Sequence, residues 1–188
     1  MKKLNQLLFA FTLVGLFTVV SCDNDDPEPV NEEELITTVE VTFTPTDGGN
    51  SVVATFRDLD GAGGTDPERS NPTLAANASY NVAVRFLNET ESPTENITEE
   101  VEEEDDEHQV FYVVNAGLNL TYTYGDQDGN GNPIGVIGTV ETGSASTGNL
   151  SVVLVHEPNK SASGVSDGDI TNAGGEEDVR VTFMVTVQ

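Results

Sequence analysis

Val39-Glu40-Val41-Thr42-Phe43-Thr44, then Pro45-Thr46-Asp47-Gly48-Gly49-Asn50, then Ser51-Val52-Val53-Ala54-Thr55-Phe56 read in succession as strand, turn and strand. Val39, Val41 and Phe43 alternate with Glu40, Thr42 and Thr44, and a period of two sends apolar side chains to one face of a strand and polar ones to the other. The Pro, Asp and paired Gly between them are turn formers. Working outward, the alternation returns at residues 80–87, 110–115, 118–124, 134–141, 150–156 and 179–187. Eight such strands with turn-rich connections and almost no helical periodicity predict an all-β fold, an antiparallel β-sandwich of immunoglobulin-like kind. One stretch departs from this: Thr94-Glu95-Asn96-Ile97-Thr98-Glu99-Glu100-Val101 offers a Thr or Asn cap followed by acids, and predicts one or two helical turns.

Shifting the chain by 68 residues lays residues 55–63 on 123–131 and 81–89 on 149–157. Taken as a repeat, this predicts two pseudo-symmetric halves of four strands sharing one core.

The first residues belong to something other than this domain. Lys2 and Lys3 precede an apolar run from Leu7 to Val20, shorter than a comfortable bilayer span of about 20 residues. A basic start, an apolar middle and small residues before a cleavage point make a secretory signal peptide. Val19-Val20-Ser21-Cys22 resembles the lipobox of bacterial lipoproteins, in which the Cys thiol is acylated and the bond before it is cut. Cys22 is the single cysteine, so disulfides and a Cys/His zinc site are both excluded. Two or three acyl chains anchor stably where one is marginal, each buried methylene contributing about 0.8 kcal/mol. Asp23-Asn24-Asp25-Asp26 resembles the acidic export signal that sends lipoproteins of Bacteroidota to the outer face of the outer membrane. The organisation expected is a signal peptide over residues 1–21, a lipidated Cys22 with an acidic tether over 22–35, and the β-sandwich over 36–188. Outer-membrane lipid is the expected partner of Cys22, with cell-surface display first and the periplasmic face second.

Lys and Arg number 7 against 33 Asp and Glu, a formal net charge of -26. A chain so acidic repels phosphate, so nucleic acid is excluded as a partner. Residues 99–107 hold eight acids among nine, and a run of this kind reads as a solvated loop.

Asp126-Gln127-Asp128-Gly129-Asn130-Gly131-Asn132 is the candidate metal site. Asp126, Asp128 and Asn130 present oxygens at alternate positions, as the first half of an EF-hand calcium loop does. The twelfth position is Ile137 in place of the bidentate acid, so a complete EF-hand is excluded and Ca2+ would need ligands from elsewhere. Asp58 and Asp60 in Asp58-Leu59-Asp60-Gly61 form a weaker second copy. The same residues are also the preferred formers of tight turns. His108 and His156 read as exposed polar residues, and no GxSxG, HExxH or phosphate-binding loop accompanies them, so no catalytic residues are assigned. Tyr122 and Tyr124 share one face of a strand, which core packing explains more simply than a sugar platform.

The lipobox, the acidic signal, and His156-Glu157-Pro158-Asn159-Lys160 followed by Gly168-Asp169-Ile170-Thr171 and Gly174-Gly175-Glu176 together resemble a family of small Bacteroidota outer-membrane lipoproteins. Some of its members carry a type 1 periplasmic-binding label, a fold needing two α/β lobes that this periodicity does not offer. The resemblance implies a non-enzymatic, surface-displayed lipoprotein acting as a binding or structural module, calcium-stabilised if the Asp loops take an ion. The alternative is a lipoprotein capturing a glycan or other nutrient beside an outer-membrane importer, and exposed aromatics on a concave face would favour it.

Overall fold

The alternation read from the sequence becomes two sheets packed face to face. The computed structural model describes residues 34–188; the expected signal peptide, Cys22 and most of the expected tether lie outside the described residues. In chain order the elements are β1 (Thr38–Pro45), β2 (Val52–Arg57), β3 (Glu68–Ser70), β4 (Thr73–Leu74), β5 (Ser79–Leu87), α1 (Ile97–Glu103), β6 (His108–Val114), β7 (Leu120–Tyr124), β8 (Ile137–Thr142), β9 (Ser146–His156) and β10 (Glu176–Val187). The eight expected strands are all present. The two additional ones, β3 and β4, are three and two residues long, too short to carry a period.

One sheet has the order β3-β2-β1-β5-β8-β7 and the other β4-β10-β9-β6. Without the β2 and β3 insertion and the short β4, the orders are β1-β5-β8-β7 and β10-β9-β6, the ABED and GFC sheets of an immunoglobulin domain. β4 adds to this frame by running parallel to the end of β10.

Between the sheets lie Val39, Val41 and Phe43 of β1, Val84 and Phe86 of β5, Leu150, Val152 and Leu154 of β9, and Phe183 and Val185 of β10, all nearly inaccessible. Each such side chain contributes about 1.5–3 kcal/mol by leaving water. β9 reads as the continuous run Val152-Val153-Leu154-Val155 because both its faces are covered. Its second face, with Phe111 of β6, lies under the loop between β9 and β10, where Val165 and Ala173 complete a smaller apolar cluster.

The helix is one element of seven residues. Ile97 and Val101 are buried, and the Thr98 hydroxyl accepts from the backbone N–H of Phe86 at 2.9 Å, which docks α1 on β5. Asn96 stands at the cap position, but its side chain donates to Glu99 at 2.8 Å and accepts no helix N–H.

The 68-residue shift does not describe the fold. It carries the pair Thr42 and Ala83 onto Val110 and Ser151, whereas Val110 lies opposite Leu154. It also carries the β1–β2 pair onto β6 and β7, whereas β7 pairs with β8. Valine-rich strands resemble one another whatever their topology, and this is the source of the likeness.

Candidate functional site

The Asp126 loop closes the sandwich edge between β7 and β8. Both Asp126 carboxylate oxygens accept backbone N–H groups, from Gly135 at 2.7 Å and from Ile137 at 2.8 Å. Asp128 is buried; its Oδ1 accepts from the N–H groups of Asn130 at 2.9 Å and Asn132 at 2.8 Å. Its Oδ2 meets the Lys160 ammonium at 3.2 Å and the Asn132 side-chain amide at 3.3 Å. Lys160 is buried too, and it donates to the Asp105 carbonyl at 2.5 Å. Asp128 Oδ2 is therefore already paired with an internal ammonium. Burial works against the Asp128 anion, but the Asn132 N–H and Lys160 prevail and hold its carboxyl below the usual range.

The second copy is likewise engaged from within. Asp58 Oδ1 accepts from the Gly61 N–H at 2.9 Å, and Asp60 Oδ2 accepts from both the N–H and the hydroxyl of Thr65 at 3.0 Å. Those bonds hold the Asp60 carboxyl below the usual range. The geometry of all four aspartates is that of turns whose side chains satisfy the backbone.

Among the described residues, three imidazole and carboxylate ligand atoms lie within 4.8 Å of one another in two places: Glu34, His108 and Asp178, and Glu107, His156 and Glu157. Neither includes the predicted aspartates. The two histidines face each other across the β6–β9 ladder, and their rings stack with centroids 4.7 Å apart and planes 13° from parallel. They are not the exposed residues the sequence implied, for His108 is 0% and His156 7% exposed. The signal was present in the alternation: His108 has the parity of inward-facing Val110 and Tyr112, and His156 that of inward-facing Val152 and Leu154.

Each carboxylate of the first group arrives by a distinct route. Asp178 is the extra residue of a bulge in β10 between Glu177 and Val179, and a bulge re-aims a side chain toward the interior. Glu34 comes from the segment before β1, so the folded domain begins slightly earlier than the expected boundary at residue 36. The Glu34 Oε1 atom lies 3.2 Å from His108 Nε2, and His108 Nδ1 lies 3.2 Å from the Glu104 carbonyl. Burial disfavours the imidazolium of His108, and the Glu34 carboxylate overrides it, so its pKa is raised. Glu34 is correspondingly lowered, chiefly by contact with His108. On the second group, Glu107 Oε2 lies 3.6 Å from His156 Nε2. The acidic run thus ends at the site: Glu104, Asp105 and Glu107 all contribute oxygens to His108, Lys160 or His156.

The tyrosines are structural. Tyr122 stacks on Tyr112 with centroids 3.7 Å apart, and the Tyr124 hydroxyl donates to the Val110 carbonyl at 2.9 Å. Burial pushes the Tyr124 phenol up to about 12.

A different surface stands out by its lack of charge. On the outer face of the six-stranded sheet, register sets Val53, Thr42, Ala83 and Ile137 in one row and Thr44, Asn81, Thr139 and Thr123 in the next. The small Ala83 between Thr42 and Ile137 leaves a shallow groove. The Glu40–Arg85 ion pair borders this strip on one side and Glu141 on the other.

No family model matches the chain. No curated protein and no solved structure matches it either.

Proposed function

We propose that the protein is a non-enzymatic lipoprotein, held to the outer membrane by an acylated Cys22 and displayed at the cell surface, whose immunoglobulin-like sandwich serves as a binding or structural module. The observation that carries this reading is the uncharged strip on the outer sheet face. In a chain of net charge -26, most surfaces would bury unpaired carboxylates against a partner at a desolvation cost, and this strip can be covered without burying one. Val53 and Ile137 are among the exposed large apolar residues, and they lie in the same row. The capture of glycans has less support. Stacking needs exposed rings, and the exposed large apolar residues among those described are Leu35, Val53, Leu59, Ile137 and Met184, none aromatic.

Lipid anchoring rests on the Val19-Val20-Ser21-Cys22 sequence, and no helix among the described residues is long and apolar enough to cross a membrane. A photocrosslinking amino acid at position 137, compared with one at position 102 in the acidic run, tests the binding face in intact cells. The expected result is a discrete protein adduct from position 137 alone, lost when Ala83→Glu places charge in the groove. Identical adducts from both positions, or none from 137, would remove the outer sheet face from the account.

A further inference from the structure

We propose that Glu34, His108 and Asp178 form a binding site for a divalent transition ion, with His108 Nε2 and the two carboxylates as ligands. This goes beyond the binding-module reading and does not depend on it. A carbonyl oxygen only accepts, so the 3.2 Å contact from the Glu104 carbonyl fixes a proton on His108 Nδ1. Holding one ring nitrogen in this way is the arrangement that orients a metal-ligating imidazole, because it leaves the other nitrogen's lone pair directed at the ion. Here that other nitrogen, Nε2, faces the Glu34 carboxylate. Nε2 stands 3.2 Å from Glu34 Oε1 yet outside hydrogen-bond geometry, and the other Glu34 oxygen is buried without a hydrogen bond.

Charge makes the same point. Bound to a neutral imidazole and two carboxylates, one divalent ion would be charge-balanced. A nitrogen with carboxylate oxygens suits zinc or a neighbouring first-row ion better than calcium, whose ligands are all oxygen. Tetrahedral ligands at about 2.1 Å from zinc stand about 3.4 Å from one another. The three ligand atoms already lie within 4.8 Å, so small side-chain movements close the shell. His108 is fixed by β6 and Asp178 by the β10 bulge, while Glu34 sits at the root of the tether. An ion here would clip the start of the domain to both strands.

The test is a calorimetric Zn2+ titration of the 188-residue chain carrying Cys22→Ser, which removes its thiol, in millimolar Mg2+ and Ca2+ to occupy the exposed acids. The expected result is one ion per chain, with Glu34→Gln and Asp178→Asn each weakening it by at least about tenfold, the scale on which even outer-shell changes act. Glu102→Gln with Glu103→Gln, in the exposed run, should leave the affinity unchanged. Co2+ should give the visible absorption of a four-coordinate site in the parent and lose it in both carboxylate variants. Zn2+ uptake that Mg2+ and Ca2+ abolish, or that neither Glu34→Gln nor Asp178→Asn weakens, would overturn the site. Glu34 lies outside every strand and α1, so its variant reports on the ion even if Asp178→Asn disturbs the bulge.

Discussion

Lys160 and Asp128 form a buried ion pair. Removing one partner of such a pair strands the other, at a cost of about 3–5 kcal/mol. Lys160→Met should therefore lower stability by about 3 kcal/mol in urea denaturation, since Asp128 retains the Asn130 and Asn132 N–H bonds. The pH dependence has a definite sign. The folded Asp128 carboxyl titrates below its unfolded value of about 3.9, so its contribution is complete above that pH and disappears as pH falls through the folded value. Wild type should exceed Asp128→Asn in stability at pH 7, and the gap should close in acid; a gap independent of pH would contradict the pairing. The aspartates were legible as turn formers, but the Lys160 partner of Asp128 was not, because a side chain's partner can lie far along the chain. Lys160 is 32 residues from Asp128, and nothing local marks it.

Glycines in the strands and loops separate packing from turn chemistry at the scale of the element. A Cβ on Gly138 of β8 would stand 2.4 Å from the Tyr122 hydroxyl and 2.5 Å from the Thr123 carbonyl, whereas one on Gly129 would meet nothing within 4 Å. Gly138→Ala should cost at least about 1–3 kcal/mol, the range for overpacking, and Gly129→Ala should be close to neutral in the same denaturation experiment. Because the Asp58, Asp60, Asp126 and Asp128 carboxylates already accept hydrogen bonds, Ca2+ should raise the melting temperature no more than Mg2+ at equal concentration. A larger calcium effect would show that one of these turns opens to take the ion. Strands were readable wherever alternation ran for several residues, as in β1 and β10. The expected strand from residue 134 begins at 137 instead, because the Ile134 carbonyl accepts from Val110 of β6 while that of Val136 accepts from Val84 of β5. A segment that bridges two sheets has no single period to read.

The whole molecule is governed by the scarcity of cations. Of the basic residues in the described chain, Arg57, Arg85, Lys160 and Arg180 are in ion pairs, and Arg69 lies 4.8 Å from the Phe56 ring centre. The remaining acids repel one another over a Debye length of about 10 Å at 0.1 M salt, falling to about 3 Å at 1 M. The melting temperature should rise with sodium chloride over that range; a flat or falling response would mean that exposed ion pairs outweigh the repulsion. The sandwich class was readable from composition and period, since both belong to local sequence. The pairing order was not, and the 68-residue likeness pointed to a symmetry that hydrogen-bond register denies. The histidine pair was likewise hidden until β6 and β9 came together. Proteinase K added to intact cells, followed by recovery of the domain from cells and medium, tests most directly whether this acidic domain is a tethered surface module. The expected result is cleavage within residues 23–33 and release of the domain from unbroken cells, with no release from a Cys22→Ala strain. A domain that stays cell-associated until the outer membrane is permeabilised would contradict surface display.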